Sequence, residues 1–557
     1  MRQTHDFLWG ASTSSYQVEG GITNNDWSYF TTSESIKRRI SSLTKPSLMY
    51  KDSTNVFLQP AGDAAKAWDP HYYLNDFDLA KKLGMNSFRI GIEWARIEPD
   101  KDRWDQGAID HYKEMIRSMR ERGLTPVITL NHLTLPLWVS TPPTRFRKKI
   151  AQGLLPSLLR DLPLADPPAS DPYWKSLRGW ENYETVKEFI KFVIMVVREL
   201  KDQVDYWVTI AEPVASVIGL GYIAGLWPPG FLLDGNRAKK VLHNLIEAHV
   251  QAYDIITSLD NIDADGDGIF KMVGFSHAMV AVSPAEPTKI LGATINDNIQ
   301  AAANFDYFVN DYFINAVING EDDLNYLNTL QRHNKDSKDF IIHEEWKNKA
   351  DFIGINYYRR VYVRYSNILA LSSAKFVGGP FINNLHTQTH HQSHSLLNDL
   401  GWEIYPEGLY NLIIRIKNQW NNTPVFITEN GVADKSDRYR APFIVAHLQQ
   451  VKRAINNGAN IIGYLHWSFM DNYEWLENYR PEAKFGLFSI DRNVGKSGQP
   501  DFKRQRTRGA EALEFIIKRS LFRNANDGDT DSAITTAKDK FGTFSVNGSH
   551  IINAMDD

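Results

Sequence analysis

The stretch "DYWVTIAE", residues 205–212, decides how the chain is read. Trp207, Val208, Thr209 and Ile210 form an aromatic and β-branched run without polar alternation, the pattern of a strand buried on both faces. A carboxylate, Glu212, closes the run directly before Pro213. Seven further runs share this character: "FLWGAS" (7–12), "SFRIGI" (87–92), "TPVITLNH" (125–132), "KMVGFSHAM" (271–279), "DFIGINYY" (351–358), "PVFITENG" (424–431) and "IIGYLHWS" (461–468). Helical patterns lie between several of them, at 110–123, 183–200 and 446–458, the last stopping on Gly458. Eight such strands alternating with helices predict an α/β fold, a single parallel (β/α)8 TIM barrel.

The barrel is expected over 1–521, with long loop insertions near 31–65, 141–178 and 366–398. Residues 522–557 read as a polar, poorly ordered C-terminal tail. The chain of 557 residues carries a formal net charge of −4, so it shows no general polyanion-binding signal and nucleic acid is not an expected partner. It has no cysteine, which excludes a disulfide scaffold and a thiolate metal site. No apolar run reaches signal-peptide or membrane-spanning length, and a cytoplasmic location is expected. The 15 Trp, 24 Tyr and 28 Phe make it rich in rings that fill cores or line sites for sugar faces.

In a barrel of this kind the active site is built at the C-terminal ends of the strands. Strand four ends on Glu212 and strand seven on Glu429; Gln17 follows strand one, Asn131 and His132 close strand three, and Asn356, Tyr357 and Tyr358 close strand six. Trp467 closes strand eight, followed by Glu474 and Trp475, and Arg89 lies within strand two. Two carboxylates across a barrel mouth suit glycosidic bond cleavage: one protonates the leaving oxygen, and the other attacks the anomeric carbon or activates water. Arg89 is the natural neighbour to keep Glu429 ionised. Gln17, His132, Asn356 and Glu474 have the chemistry to hold sugar hydroxyls, and Trp467 and Trp475 to stack on the ring. A small-molecule glycoside is the expected partner, and no cofactor is required. Apart from the rim, "DADGDG" (263–268) spaces Asp263, Asp265 and Asp267 like a calcium loop. An EF-hand needs Glu at the twelfth place, which here is Gly274, so an acidic turn and a structural calcium site both remain open, and neither is catalytic.

These stretches together resemble glycoside hydrolase family 1, the retaining β-glucosidase and β-galactosidase family, and most of all its archaeal-type β-glycosidases. The resemblance rests on "FLWGASTSSYQVEGG", "FRIGIEWARIEP", "LNHLTLPLWV", "WVTIAEPVASVIGLGYIAGLWPPG", "DFIGINYY", "GWEIYPEGLYNLI", "VFITENGVAD" and "GYLHWSFMDNYEWLENYRPEAKFGLFSID", in family order from residue 7 to about 491. It implies Glu429 as nucleophile and Glu212 as general acid then base, with carboxyl groups roughly 5–5.5 Å apart. It implies Gln17, His132 and Glu474 as contacts to the nonreducing sugar, Trp467, Trp475 and Phe485 as aromatic walls, and Arg89, Asn356 and Tyr358 as groups that orient the nucleophile. Where 6-phospho-glycosidases of the family carry Ser, this chain has Glu474, which predicts an unphosphorylated sugar.

Two positions depart from the family. Its Asn-Glu-Pro motif here reads Ala211-Glu212-Pro213, which removes the amide that bonds the sugar 2-hydroxyl. Another residue or a water takes over that bond, or the substrate differs at C2, or the enzyme is slow, with transfer or binding as its main role; a transglycosylase on the same scaffold and a weakly active or non-catalytic sugar-binding protein are the alternatives. Leu133, where the family often has Trp, predicts a wider pocket.

Overall fold

The computed structural model describes residues 6–33, 36–37, 58–140, 176–231, 234–285, 295–324, 340–363, 365, 396–492, 501–520, 528–544 and 551–552. Eight parallel strands close into a barrel: β1 (Leu8–Ser12), β2 (Ser87–Gly91), β3 (Thr125–Asn131), β4 (Tyr206–Ala211), β5 (Met272–Ala278), β6 (Phe352–Tyr357), β7 (Val425–Asn430) and β8 (Ile461–Trp467). Each pairs with its neighbours in chain order, and β8 returns to β1 with Leu8 opposite Gly463 and Ser12 opposite Trp467.

The strands are almost wholly buried because helices cover their outer face. The helix Tyr183–Leu200 shows how the sequence builds this layer. Asn182 caps it by accepting from the Glu184 amide, worth about 1 kcal/mol against Ala. Val186, Phe189, Val193, Val196, Val197 and Leu200 then recur at three- and four-residue spacing and form its buried stripe. Inside the barrel, Leu8, Val127, Tyr206, Val208, Phe352, Phe426 and Leu465 form an apolar plug. Arg89, Thr129, Ser276 and Thr428 are also buried within the strands, but they are polar and bond to one another or to the rim. The polar site thus has a dry floor.

The structure corrects three expectations. Strand four ends on Ala211, one residue early, because Glu212 takes a left-handed φ of 53° that turns the chain out of the ladder, and Pro213 has no amide to continue it. His132 and Tyr358 likewise fall one place beyond β3 and β6. The polar tail is partly ordered: Gly528–Phe541 is a helix whose Ala533, Ile534, Ala537 and Phe541 are buried against the helices Arg440–Asn456 and Arg508–Ile517. Its apolar positions keep helical spacing inside a polar composition, so composition alone misread it. Of the expected insertions, 141–175 and 366–395 lie outside the described residues, as do 34–35 and 38–57. No helix among the described residues is long and apolar enough to cross a membrane.

Candidate active site

Glu429 is delivered by a break in pairing. The β6–β7 register shifts between Ile427 and Glu429, a bulge-like irregularity that re-aims the side chain at the strand end. Arg89 then donates from Nη1 to Glu429 Oε1 at 2.6 Å, and the Tyr358 hydroxyl donates to Oε2 at 2.6 Å. Arg89 is itself fixed by Nε donating to Thr129 Oγ1 at 2.8 Å. Burial pushes the Glu429 carboxyl up to about 7. Arg89 and the Tyr358 hydrogen bond pull it down, while the charge of Glu212 pushes it further up. His132 Nε2 lies 3.9 Å from Glu429 Oε1. Burial, then the charge of Arg89, holds this imidazole well below its ordinary range, so it is neutral and offers one donor and one acceptor.

Glu212 stands at the junction between β4 and a new element. It precedes the π-helical segment Pro213–Ile223, and its amide donates to Ser276 O at 2.7 Å. Such segments are frequent at functional sites. Asn356 Nδ2 donates to Glu212 Oε1 at 2.7 Å, and Ser216 Oγ donates to Oε2. The Asn356 amide has its orientation set from behind, because Oδ1 accepts from Ser276 Oγ at 2.7 Å and from Thr428 Oγ1 at 2.8 Å. The two carboxylates therefore have separate holders, Arg89 and Tyr358 for one, Asn356 and Ser216 for the other.

The remaining rim residues form a polar and aromatic wall. Gln17 Nε2 donates to Tyr473 O at 2.7 Å, and its Oε1 has no partner among the described residues. Trp467 Nε1 donates to Glu474 Oε1 at 3.1 Å, and burial pushes the Glu474 carboxyl well above its ordinary range. The His132 ring lies 6.1 Å from Trp467 and 6.5 Å from Trp475. Trp475 packs on Trp27 and Trp227, at 4.6 and 5.4 Å. Phe485 joins Trp467, Ala433, Tyr358 and Trp402 in a separate cluster. His132, Trp467, Glu474 and Trp475 are thus linked beside Glu429, with Phe485 reached through Trp467 and Gln17 through the backbone of Tyr473.

Ala211 is fully buried and pairs with Ser276 across β4 and β5. On the other side, Asn131 pairs with Ile210; its Nδ2 donates to Thr134 O at 3.0 Å, and its Oδ1 has no partner among the described residues. Leu133 has a left-handed φ of 71° and packs with Trp27, Tyr16 and Trp475.

Four residues of this site escaped the sequence reading: Thr129, Ser216, Ser276 and Thr428. Three of them carry a signal, a lone hydroxyl within an apolar strand just below its C-terminal end. Ser216 carries none, since its bond to Glu212 depends on the π-helical turn. Asp263, Asp265 and Asp267 lie in the loop before β5, at the barrel end opposite the site. Their carboxylate oxygens come within 4.8 Å of one another. Asp263 accepts from the amides of Gly266 and Gly268, at 2.7 and 2.9 Å, and Asp265 accepts from Arg120 at 2.7 Å.

Chemically, the rim offers one carboxylate against a guanidinium and a phenol, and a second held by an amide and a hydroxyl, beside a wall suited to a polyol ring. Residues 2–142 and 174–520 match the family described as glycosyl hydrolase family 1. The chain is 28% identical over 527 residues to a β-galactosidase of Pyrococcus woesei, across 87% of this chain and 92% of that protein. It is 30% identical over 452 residues to a β-galactosidase of Saccharolobus solfataricus, across 76% and 79%. Among solved structures, the β-glycosidase from Pyrococcus horikoshii superposes with a TM-score of 0.65 at 27% identity, covering 96% of this chain and 98% of that one.

Proposed function

The chain belongs to glycosyl hydrolase family 1, and on that premise we propose that it hydrolyses the terminal nonreducing β-linked sugar of an unphosphorylated glycoside, with retention, through a covalent intermediate on Glu429. Membership makes it a glycoside hydrolase of the β-glucosidase and β-galactosidase type.

In the first step Glu429 attacks the anomeric carbon while Glu212 gives its proton to the leaving oxygen. The C–O bond to the aglycone breaks as the Glu429 ester forms. In the second step Glu212, now ionised, takes a proton from water, and that water displaces Glu429 with a second inversion. The observation that carries this reading is the pairing of Arg89 and Tyr358 on opposite oxygens of Glu429. Arg89 favours the ionised nucleophile, and both donors fix the direction of its attack. The amide and hydroxyl on Glu212 hold it on the leaving-group side as it cycles between acid and base.

Gln17, His132 and Glu474 receive the sugar hydroxyls, and Trp467 and Trp475 its apolar face. Glu474 also disfavours a phosphate on that sugar, because burial favours its neutral form, it already receives Trp467 Nε1–H and it brings no positive charge to meet a dianion. Ala211 leaves the 2-hydroxyl without its usual amide, and Asn131 on the neighbouring strand, with a free Oδ1 among the described residues, is the group available to receive it. Proton NMR of the first-formed product tests the mechanism. A β-anomer appearing before mutarotation is expected; an α-anomer would rule out retention.

A further inference from the structure

Two consecutive arginines follow Tyr358, and they have opposite fates. Arg360 is paired: its guanidinium donates to both oxygens of Glu403, from Nε at 2.8 Å. Arg359 is partly buried yet has no hydrogen-bonded or ionic partner for its guanidinium among the described residues. It lies against a ring: the guanidinium carbon is 4.5 Å from the centre of Trp402. Burial alone pushes this guanidinium down, to about 10, with no carboxylate to oppose it.

A desolvated cation without an anion is costly, and a ring face recovers only part of that cost. Arg359 also keeps a planar fork of N–H donors, the geometry that matches a carboxylate. Its position says where a carboxylate would come from. Trp402 lies 6.1 Å from Tyr358 and 6.0 Å from Phe485, ring to ring, so a single ring separates Arg359 from the tyrosine that holds Glu429. An anion on the bound sugar is disfavoured, because it would lie against Glu429, Glu212 and the acid Glu474, none of which is a cation. Glu212 stands at the glycosidic oxygen, so a carboxylate is accommodated only on the part of the aglycone that extends beyond it.

Resting on the reading of the site as a β-glycosidase, we propose that Arg359, stacked on Trp402, is the anchor for an acidic aglycone, so that the preferred substrates are glycosides whose leaving group bears a carboxylate. Arg359 touches no reacting atom; it determines specificity.

The test compares 4-carboxyphenyl β-glycosides with their methyl esters, in the glucoside and galactoside series, for the wild type, Arg359→Gln and Arg359→Lys. The ratio of kcat/KM for acid over ester is read for each protein, which cancels the difference in leaving-group acidity between the two compounds. A charge-assisted contact predicts a ratio about tenfold or more higher in the wild type than in Arg359→Gln. Arg359→Lys, which keeps the charge and loses the fork, falls between them. Turnover of the ester shows that each variant is folded. Equal ratios in all three proteins, with the ester still cleaved, would overturn the role of Arg359 and leave the glycosidase reading intact; failure to cleave any of these compounds in the wild type would instead count against the glycosidase reading and this inference with it.

Discussion

Arg89 Nη1 lies 2.6 Å from Glu429 Oε1, and both side chains are closed to solvent, at 0% and 4% exposure. An ion pair this dry is a contest between burial, which favours the neutral acid, and the guanidinium, which favours the carboxylate. Burial wins, and Glu429 titrates near 7 in the free enzyme.

That titration gives a pH dependence. A nucleophile must be ionised, so kcat/KM is expected to fall about tenfold per pH unit below about 7, where Glu429 becomes protonated. Tyr358 donates to the carboxylate and pulls its titration down, so Tyr358→Phe moves this acidic limb to higher pH. A pH profile of kcat/KM checks both. A limb at the ordinary glutamate range near 4.5, unmoved in Tyr358→Phe, would contradict them.

Ser216 supplies the second prediction. It holds Glu212 Oε2, and a hydrogen bond to a charged group contributes about 1.5–3 kcal/mol. Ser216→Ala should lower kcat/KM about tenfold for alkyl glycosides, whose leaving oxygen needs the proton. Glycosyl fluorides and dinitrophenyl glycosides, which do not need it, should lose little. An equal loss on both classes would mean that Ser216 acts through the fold and not through Glu212.

Ala211→Asn tests the 2-hydroxyl. The contact it restores strengthens in the transition state and is worth several kcal/mol in this mechanism. The variant is expected to raise kcat/KM for nitrophenyl glucoside about tenfold or more and to widen its preference over the 2-deoxyglucoside. No change in that preference would mean that a resident group, such as Asn131, already serves the hydroxyl.

Much of this site is legible before any coordinates. The eight apolar runs name the strands because a strand covered on both faces has no polar alternation to hide it, and strand ends name Glu429 and Asn356. Local pattern misleads where tertiary geometry overrides it. Glu212 looks like a strand residue but turns left-handed, and Ser216 reaches it only because the next segment winds as a π-helix. Gly528–Phe541 reads as a tail because four apolar residues are outvoted by their polar neighbours.

That helix allows a stability test away from the chemistry. Phe541 is 6% exposed and packs at 5.8 Å from Phe515, ring to ring. Phe541→Ala should cost about 3 kcal/mol or more, seen as a lower denaturation midpoint, with the kinetic constants of the folded enzyme retained. A loss under about 0.5 kcal/mol, the usual range for surface changes, would show that the helix is not docked in solution.

The most direct test of the mechanism is covalent trapping. A 2-deoxy-2-fluoro glycoside with a dinitrophenyl leaving group should inactivate the enzyme in a time-dependent way and add one fluorosugar mass per chain. Peptide mapping by mass spectrometry should place that mass on Glu429. A label on Glu212 or on any other residue, or an active enzyme that never acquires the label, would contradict Glu429 as the nucleophile.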